Sequence, residues 1–123
     1  MDKGKDDKVY YGNVEIAKLL NQQQNLTLDN NQLFKETLYK VINDDSKSIQ
    51  NNEHMKMLTR VLYNLRDMEE LLKLVLKMSK LFPESSYPLE WICKVYMEYV
   101  TGTLSFKVVK LVEFLKMLEF LFL

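Results

Sequence analysis

The chain has 123 residues, with 17 basic and 17 acidic side chains, one histidine, one cysteine, three glycines and two prolines. With no net charge, it has no overall field to draw in nucleic acid, an anionic membrane or an acidic substrate. A single cysteine excludes an internal disulfide and the scarcity of turn formers argues against an all-β domain, so the composition points to helices.

The N-terminal MDKGKDDKVYYG lacks the apolar run of a secretory signal. With the lone cysteine, this sets the expectation of a reducing, cytoplasmic or nuclear location. Residues 1–12 carry charge without apolar period and read as a mobile end. From Asn13 as N-cap, Val14, Ala17, Leu19 and Leu20 predict a short helix that decays into the polar tract NQQQNLTLDNN. Asp29 or Asn30 is expected to cap a second helix with Leu33, Phe34, Leu38, Val41 and Ile42 on one face. NDDSKSIQNN, 43–52, reads as a linker, so residues 13–52 are expected to form short helices and polar connections.

Beyond it the pattern sharpens. Met55, Leu58, Val61, Leu62 and Leu65 recur at three and four, predicting an amphipathic helix over 53–65 with Glu53, Lys56, Arg60 and Asn64 opposite. Asp67, three residues before Glu70, has capping spacing for a next helix with Met68, Leu71, Leu72, Val75, Met78 and Phe82 on its apolar face. Pro83 stops that helix, and Ser86 or Tyr87 caps another with Pro88 in its first turn. Leu89, Ile92, Cys93, Val95, Tyr96 and Tyr99 continue the face, and Gly102 suits a C-cap before a last helix. The tail FKVVKLVEFLKMLEFLFL carries Lys107, Lys110, Glu113, Lys116 and Glu119, too many charges for a membrane span. Its charges wind around the helix and leave apolar surface on several sides, as in a layered helical stack.

A shift of 34 residues places Met55 on Leu89, Leu58 on Ile92, Thr59 on Cys93, Leu62 on Tyr96, Val75 on Val109 and Met78 on Val112. Helix, tight turn and helix at that period is a tetratricopeptide signature, because each hairpin exposes apolar surface that a neighbouring hairpin must cover. The expected fold is therefore all-α, with antiparallel helical hairpins stacked as a short tetratricopeptide-like α-solenoid over 53–123. The second copy departs from the pattern: Lys116 falls opposite Phe82 and Met117 where Pro83 would recur. The region is thus read as truncated at its C-terminus, with fewer than the three repeats stability usually requires.

Chemistry is sparse. Cys93 sits mid-helix, and His54 lies 39 residues before it, so neither a nucleophile–base pair nor a zinc ligand pair is spaced for its task. Cys93 is expected to be a buried small residue. Asp67, Glu69 and Glu70 are explained by capping and dipole compensation at a helix start, and no Gly-rich phosphate loop is present. No catalytic residue, metal or cofactor is expected. Tyr87, Trp91, Tyr96 and Tyr99 lack the basic clusters that accompany base-stacking platforms, so no nucleic-acid site is expected and Trp91 and Tyr96 are assigned to packing. In a repeat of this type the first helices line the concave side, which would present Lys56, Arg60, Tyr63, Asn64, Tyr87, Glu90, Lys94 and Glu98. That surface suits either a bound peptide or an ordinary solvated face.

NNQLFKETLYKVINDDSKSIQNNEHMKMLTRVLYNLRDMEELLKLVLKMSKLFPESSYPLEWICKVYMEYV, 30–100, resembles a stretch of the long tetratricopeptide scaffold of the superkiller complex. SYPLEWICKVYME, with its P-L-E-x-I-C, is similar to a helix that follows the shorter, less regular repeats of that scaffold. The resemblance implies a fragment of a cytoplasmic, non-enzymatic subunit that holds helicase and β-propeller partners together and delivers messenger RNA to the 3′-to-5′ exosome. The alternative is a generic tetratricopeptide peptide-binding adaptor or chaperone cofactor. Such a clamp gathers Lys, Arg and Asn from three successive repeats, a set that Tyr87, Glu90 and Trp91 interrupt. Membrane association through the apolar tail is a third, weaker reading.

Overall fold

The computed structural model describes residues 3–44 and 51–100, with side chains over 8–44 and 52–98. The helix expected after Gly102, with its share of the repeat, lies outside the described residues. Those described form five helices: α1 Lys3–Gln22, α2 Leu28–Ile42, α3 Asn51–Asn64, α4 Met68–Leu81 and α5 Tyr87–Val100. Among them there is no strand, and no helix is long and apolar enough to cross a membrane. The fold class is all-α. The chain divides into two compact units, Met1–Asp67 and Met68–Leu123.

In the first unit α2 packs against both α1 and α3. Its buried residues, Asn31, Phe34, Thr37, Leu38, Val41 and Ile42, therefore cover a broad arc rather than a narrow stripe. Tyr10, Ala17 and Leu20 on α1, and Met55, Leu58, Val61 and Leu62 on α3, complete the core. Two polar residues enter it by returning their hydroxyls to their own helix: Thr37 Oγ1 donates to Leu33 O at 2.7 Å and Thr59 Oγ1 to Lys56 O at 2.6 Å. Asn31 Nδ2 donates to Leu26 O and Thr27 O, tying the start of α2 to the segment before it.

Two boundaries differ from the sequence expectation. The segment 1–12, read as a mobile end, is helical from Lys3, and its Tyr10 is buried. Tyr10, Asn13, Val14, Ala17 and Leu20 recur at three and four, and all five are buried or half-buried, so the apolar period starts within the charged end. The cap of α2 is Thr27 rather than Asp29 or Asn30. Thr27 has extended backbone, and its Oγ1 accepts from Asn30 N at 3.1 Å, which leaves Asp29 in the first turn to oppose the helix dipole. Asn25 precedes it at φ 56°, a left-handed position that asparagine tolerates better than most residues.

α3 ends in a Schellman motif. Asp67 N donates to Leu62 O at 2.9 Å and Arg66 N to Tyr63 O at 3.0 Å, with Arg66 at φ 61°. Glycine is the usual occupant of this left-handed position, because a Cβ there is strained.

In the second unit α4 packs against α5. Met68, Leu71, Leu74, Val75 and Met78 are buried on α4, with Leu72 and Phe82 half-buried beside them. Pro88 is buried in the first turn of α5, where its missing amide hydrogen costs no helix bond, while Ile92 and Val95 follow on the same face. Of the expected face Ile92 and Val95 are buried and Leu89 is half-buried; Pro88 joins them, while Cys93 and Tyr96 fall outside. One residue is about 100° of helix. Cys93 is consequently exposed, as is Tyr96 at 37%. The assignment of both to the core is corrected: each stands one such step beyond a buried neighbour, Ile92 or Val95.

Gly12 lies inside α1, and a Cβ added there meets nothing within 4 Å. Gly12→Ala therefore removes backbone entropy from the unfolded chain without a clash, and urea unfolding should show a gain of about 0.5–1 kcal/mol. Burial pushes the Tyr10 phenol above its ordinary value, with smaller contributions from Tyr11 and Asp44. Because the folded chain holds this proton more tightly than the unfolded chain, its contribution to stability is complete below about pH 10 and is lost as pH rises through the folded value. Thermal unfolding from neutral to alkaline pH should show this loss, and Tyr10→Phe should reduce it.

Candidate functional site

The eight residues of the expected concave face fall into two sets of four, one on α3 in the first unit and one on α5 in the second.

On α3 the side chains are engaged within the chain. Lys56 Nζ lies 3.5 Å from Glu53 Oε1, one turn earlier. Arg60 Nη2 donates to Asn21 Oδ1 at 2.7 Å, joining α3 to the last turn of α1. Tyr63 is half-buried, with the Arg66 guanidinium carbon 4.7 Å from its ring centroid, a cation–π contact. Asn64 is exposed at the helix end. The two cations that would meet an acidic peptide thus already have acceptors. The Asn21 bond uses one of the five guanidinium donors of Arg60.

On α5, Tyr87, Trp91, Lys94 and Glu98 follow at four, three and four, the spacing that keeps side chains on one line along a helix. Their row runs beside the buried Pro88, Ile92 and Val95. The Tyr87 and Trp91 rings meet edge to face, with centroids 6.4 Å apart and planes at 75°. Lys94 Nζ lies 5.6 Å from the Trp91 centroid. Trp91 is half-buried, Lys94 and Glu90 are exposed, and Glu98 is half-buried. The indole is held between a phenol on one side and an ammonium on the other, so a partner that docks on it loses little side-chain entropy there.

The 34-residue correspondence between α3 and α5 holds at some positions only. Leu58 and Ile92 are both fully buried, but Thr59 is buried where Cys93 is exposed, and Leu62 is buried where Tyr96 is exposed. The division between the compact units falls between Asp67 and Met68, inside the first hairpin expected, 53–82.

Sequence reasoning missed the roles of Asn21 and Lys35, whose partners Arg60 and Asp67 lie 39 and 32 residues away. No local pattern marks such pairs. Among the described residues, no group of three or more His, Cys, Asp or Glu is placed to hold a metal ion. Compared with known proteins, the chain matches no family model, no curated protein and no solved structure.

With Cys93 at the surface, a maleimide should label the chain fully without denaturant, at a rate close to that of the unfolded chain. Labelling that occurs only in denaturant would show the thiol covered and the rotation of α5 misplaced.

Proposed function

We propose that this chain serves as a protein-interaction scaffold, a piece of helical framework that holds partners and performs no chemistry. The observation that carries this reading is the ordered row on α5. Its Tyr87 and Trp91 are of the types that dominate binding energy at protein interfaces, and they lie outside the packed face rather than within it. Consecutive helices pack against one another within each unit, which is compatible with a tetratricopeptide-like solenoid, and we read the full arrangement in that way.

The likeness of residues 30–100 to the superkiller scaffold supplies the specific form of the proposal. In it the chain is a fragment of that cytoplasmic scaffold, its partners are the helicase and β-propeller subunits, and its process is exosome-linked 3′-to-5′ decay of messenger RNA. The peptide-clamp alternative has less support, because Tyr87, Glu90 and Trp91 interrupt the set of Lys, Arg and Asn that such a clamp gathers.

The test is affinity capture with the tagged chain against the purified helicase of the superkiller assembly. Capture is expected, and Trp91→Ala should weaken it by roughly 2 kcal/mol, about thirtyfold in Kd. If the helicase fails to bind the chain and any longer form containing it, the superkiller reading falls. If the chain binds and Trp91→Ala has no effect, the α5 row is not the docking surface.

A further inference from the structure

We propose that α1 pairs, antiparallel, with α1 of a second copy of this chain, along a line of apolar residues that the fold leaves exposed. Val9, Gly12, Ile16 and Leu19 follow one another at three, four and three, so they share one edge of the helix. Val9, Ile16 and Leu19 are 61%, 41% and 58% exposed. The buried Tyr10, Ala17 and Leu20 each stand one position after a member of this line, and the charged Lys8, Glu15 and Lys18 one position before. The line therefore lies between the packed face and the charged face, and belongs to neither.

Gly12 points to the kind of partner. Glycine inside a helix weakens it relative to alanine, and nothing in the chain comes within 4 Å of a Cβ placed there, so packing within the unit does not call for it. Its use is to let another backbone approach closely from outside. The line is also its own complement. A two-fold axis through the point midway between Gly12 and Ile16 sets Val9 against Leu19 of the second copy, and Gly12 against Ile16 of the second copy. An unrelated helix would have to supply a small residue opposite Ile16, whereas a second copy already carries one. In this register the two Glu15 carboxylates reach the same flank, one position from the axis, and repel each other. Three part-exposed side chains also fall well short of the roughly 800 Å² per partner of a stable interface, so the pair is weak, with a Kd on the order of 0.1 mM.

Sedimentation equilibrium of the intact chain, from about 10 µM to 1 mM, should show reversible monomer and dimer. Gly12→Lys and Ile16→Lys should each weaken association by roughly tenfold or more, while Leu81→Lys, at an exposed apolar residue of the second unit, leaves it unchanged. A side chain at position 12 has open space, so Gly12→Lys in dilute solution should keep its helical circular dichroism and a Tm no lower than that of the parent chain. Glu15→Gln should tighten the pair by roughly 2- to 5-fold at low salt, because it removes the repulsion beside the axis. The proposal is overturned if the chain stays monomeric at about 1 mM, or if its association survives both lysine substitutions, which would assign it to another surface. A lowered Tm for dilute Gly12→Lys would also overturn it, since position 12 would then be covered within the chain. If Glu15→Gln leaves the association unchanged, the antiparallel register falls, and the proposal with it.

Discussion

The first unit depends on α2 having two flanks to bury. A helix that packs on one neighbour needs a stripe; α2 packs on two, and its buried side chains form adjoining rows, Asn31, Leu38 and Ile42 in one and Phe34, Thr37 and Val41 in the other. So wide an arc leaves no room to keep every position apolar. Asparagine and threonine enter the core, and their presence is tolerated because their donors find carbonyls at once, on the same turn or in the segment leading into the helix. Removing α1 or α3 would expose one of the rows, so the three helices stand or fall together.

The second unit shows how the packed line of one helix decides which of its side chains are left at the surface. Proline at the second position of α5 is small enough to bury and rigid enough to begin the helix, and its burial sets which residues follow it inward. Ile92 and Val95 lie on that line. The aromatic and charged row is thereby displaced to the flank, where Tyr87 and Lys94 hold Trp91 in place. A surface of this kind owes its order to contacts within one helix, while its exposure is decided by what the neighbouring face packs against.

Helix existence was legible almost throughout. The runs over 53–65, 68–82 and 87–100 were apparent from apolar period and from Pro83 and Pro88, and the observed helices differ by a residue or two at their ends. The start of α1 was not legible, because residues 2–8 are almost all Lys and Asp and Val9, Tyr10 and Tyr11 are adjacent rather than spaced by a helical turn. The cap of α2 was offset because four consecutive residues, Thr27 to Asn30, include three capable of capping, and only the backbone geometry of Thr27 selects among them. For the candidate site, residue types and helical spacing were readable, but the occupancy of Lys56 and Arg60 was not. The acceptor of Arg60 belongs to α1, and a contact across 39 residues leaves no trace in a window of a dozen.

What the amino-acid order determined by itself was local: the all-α class and the turns at Arg66–Asp67 and Pro83–Pro88. These follow from propensity, capping and spacing, which act over one or two turns of helix. Which apolar residues became core was decided by tertiary packing. α5 carries apolar side chains on more than half of its circumference, so its sequence permits several rotations, and only contact with α4 chose the one that buries Ile92 and Val95 and leaves Cys93 and Tyr96 outside. Tertiary structure likewise paired Lys35 with Asp67, because only the packing of α3 on α2 brings that ammonium to that carboxylate.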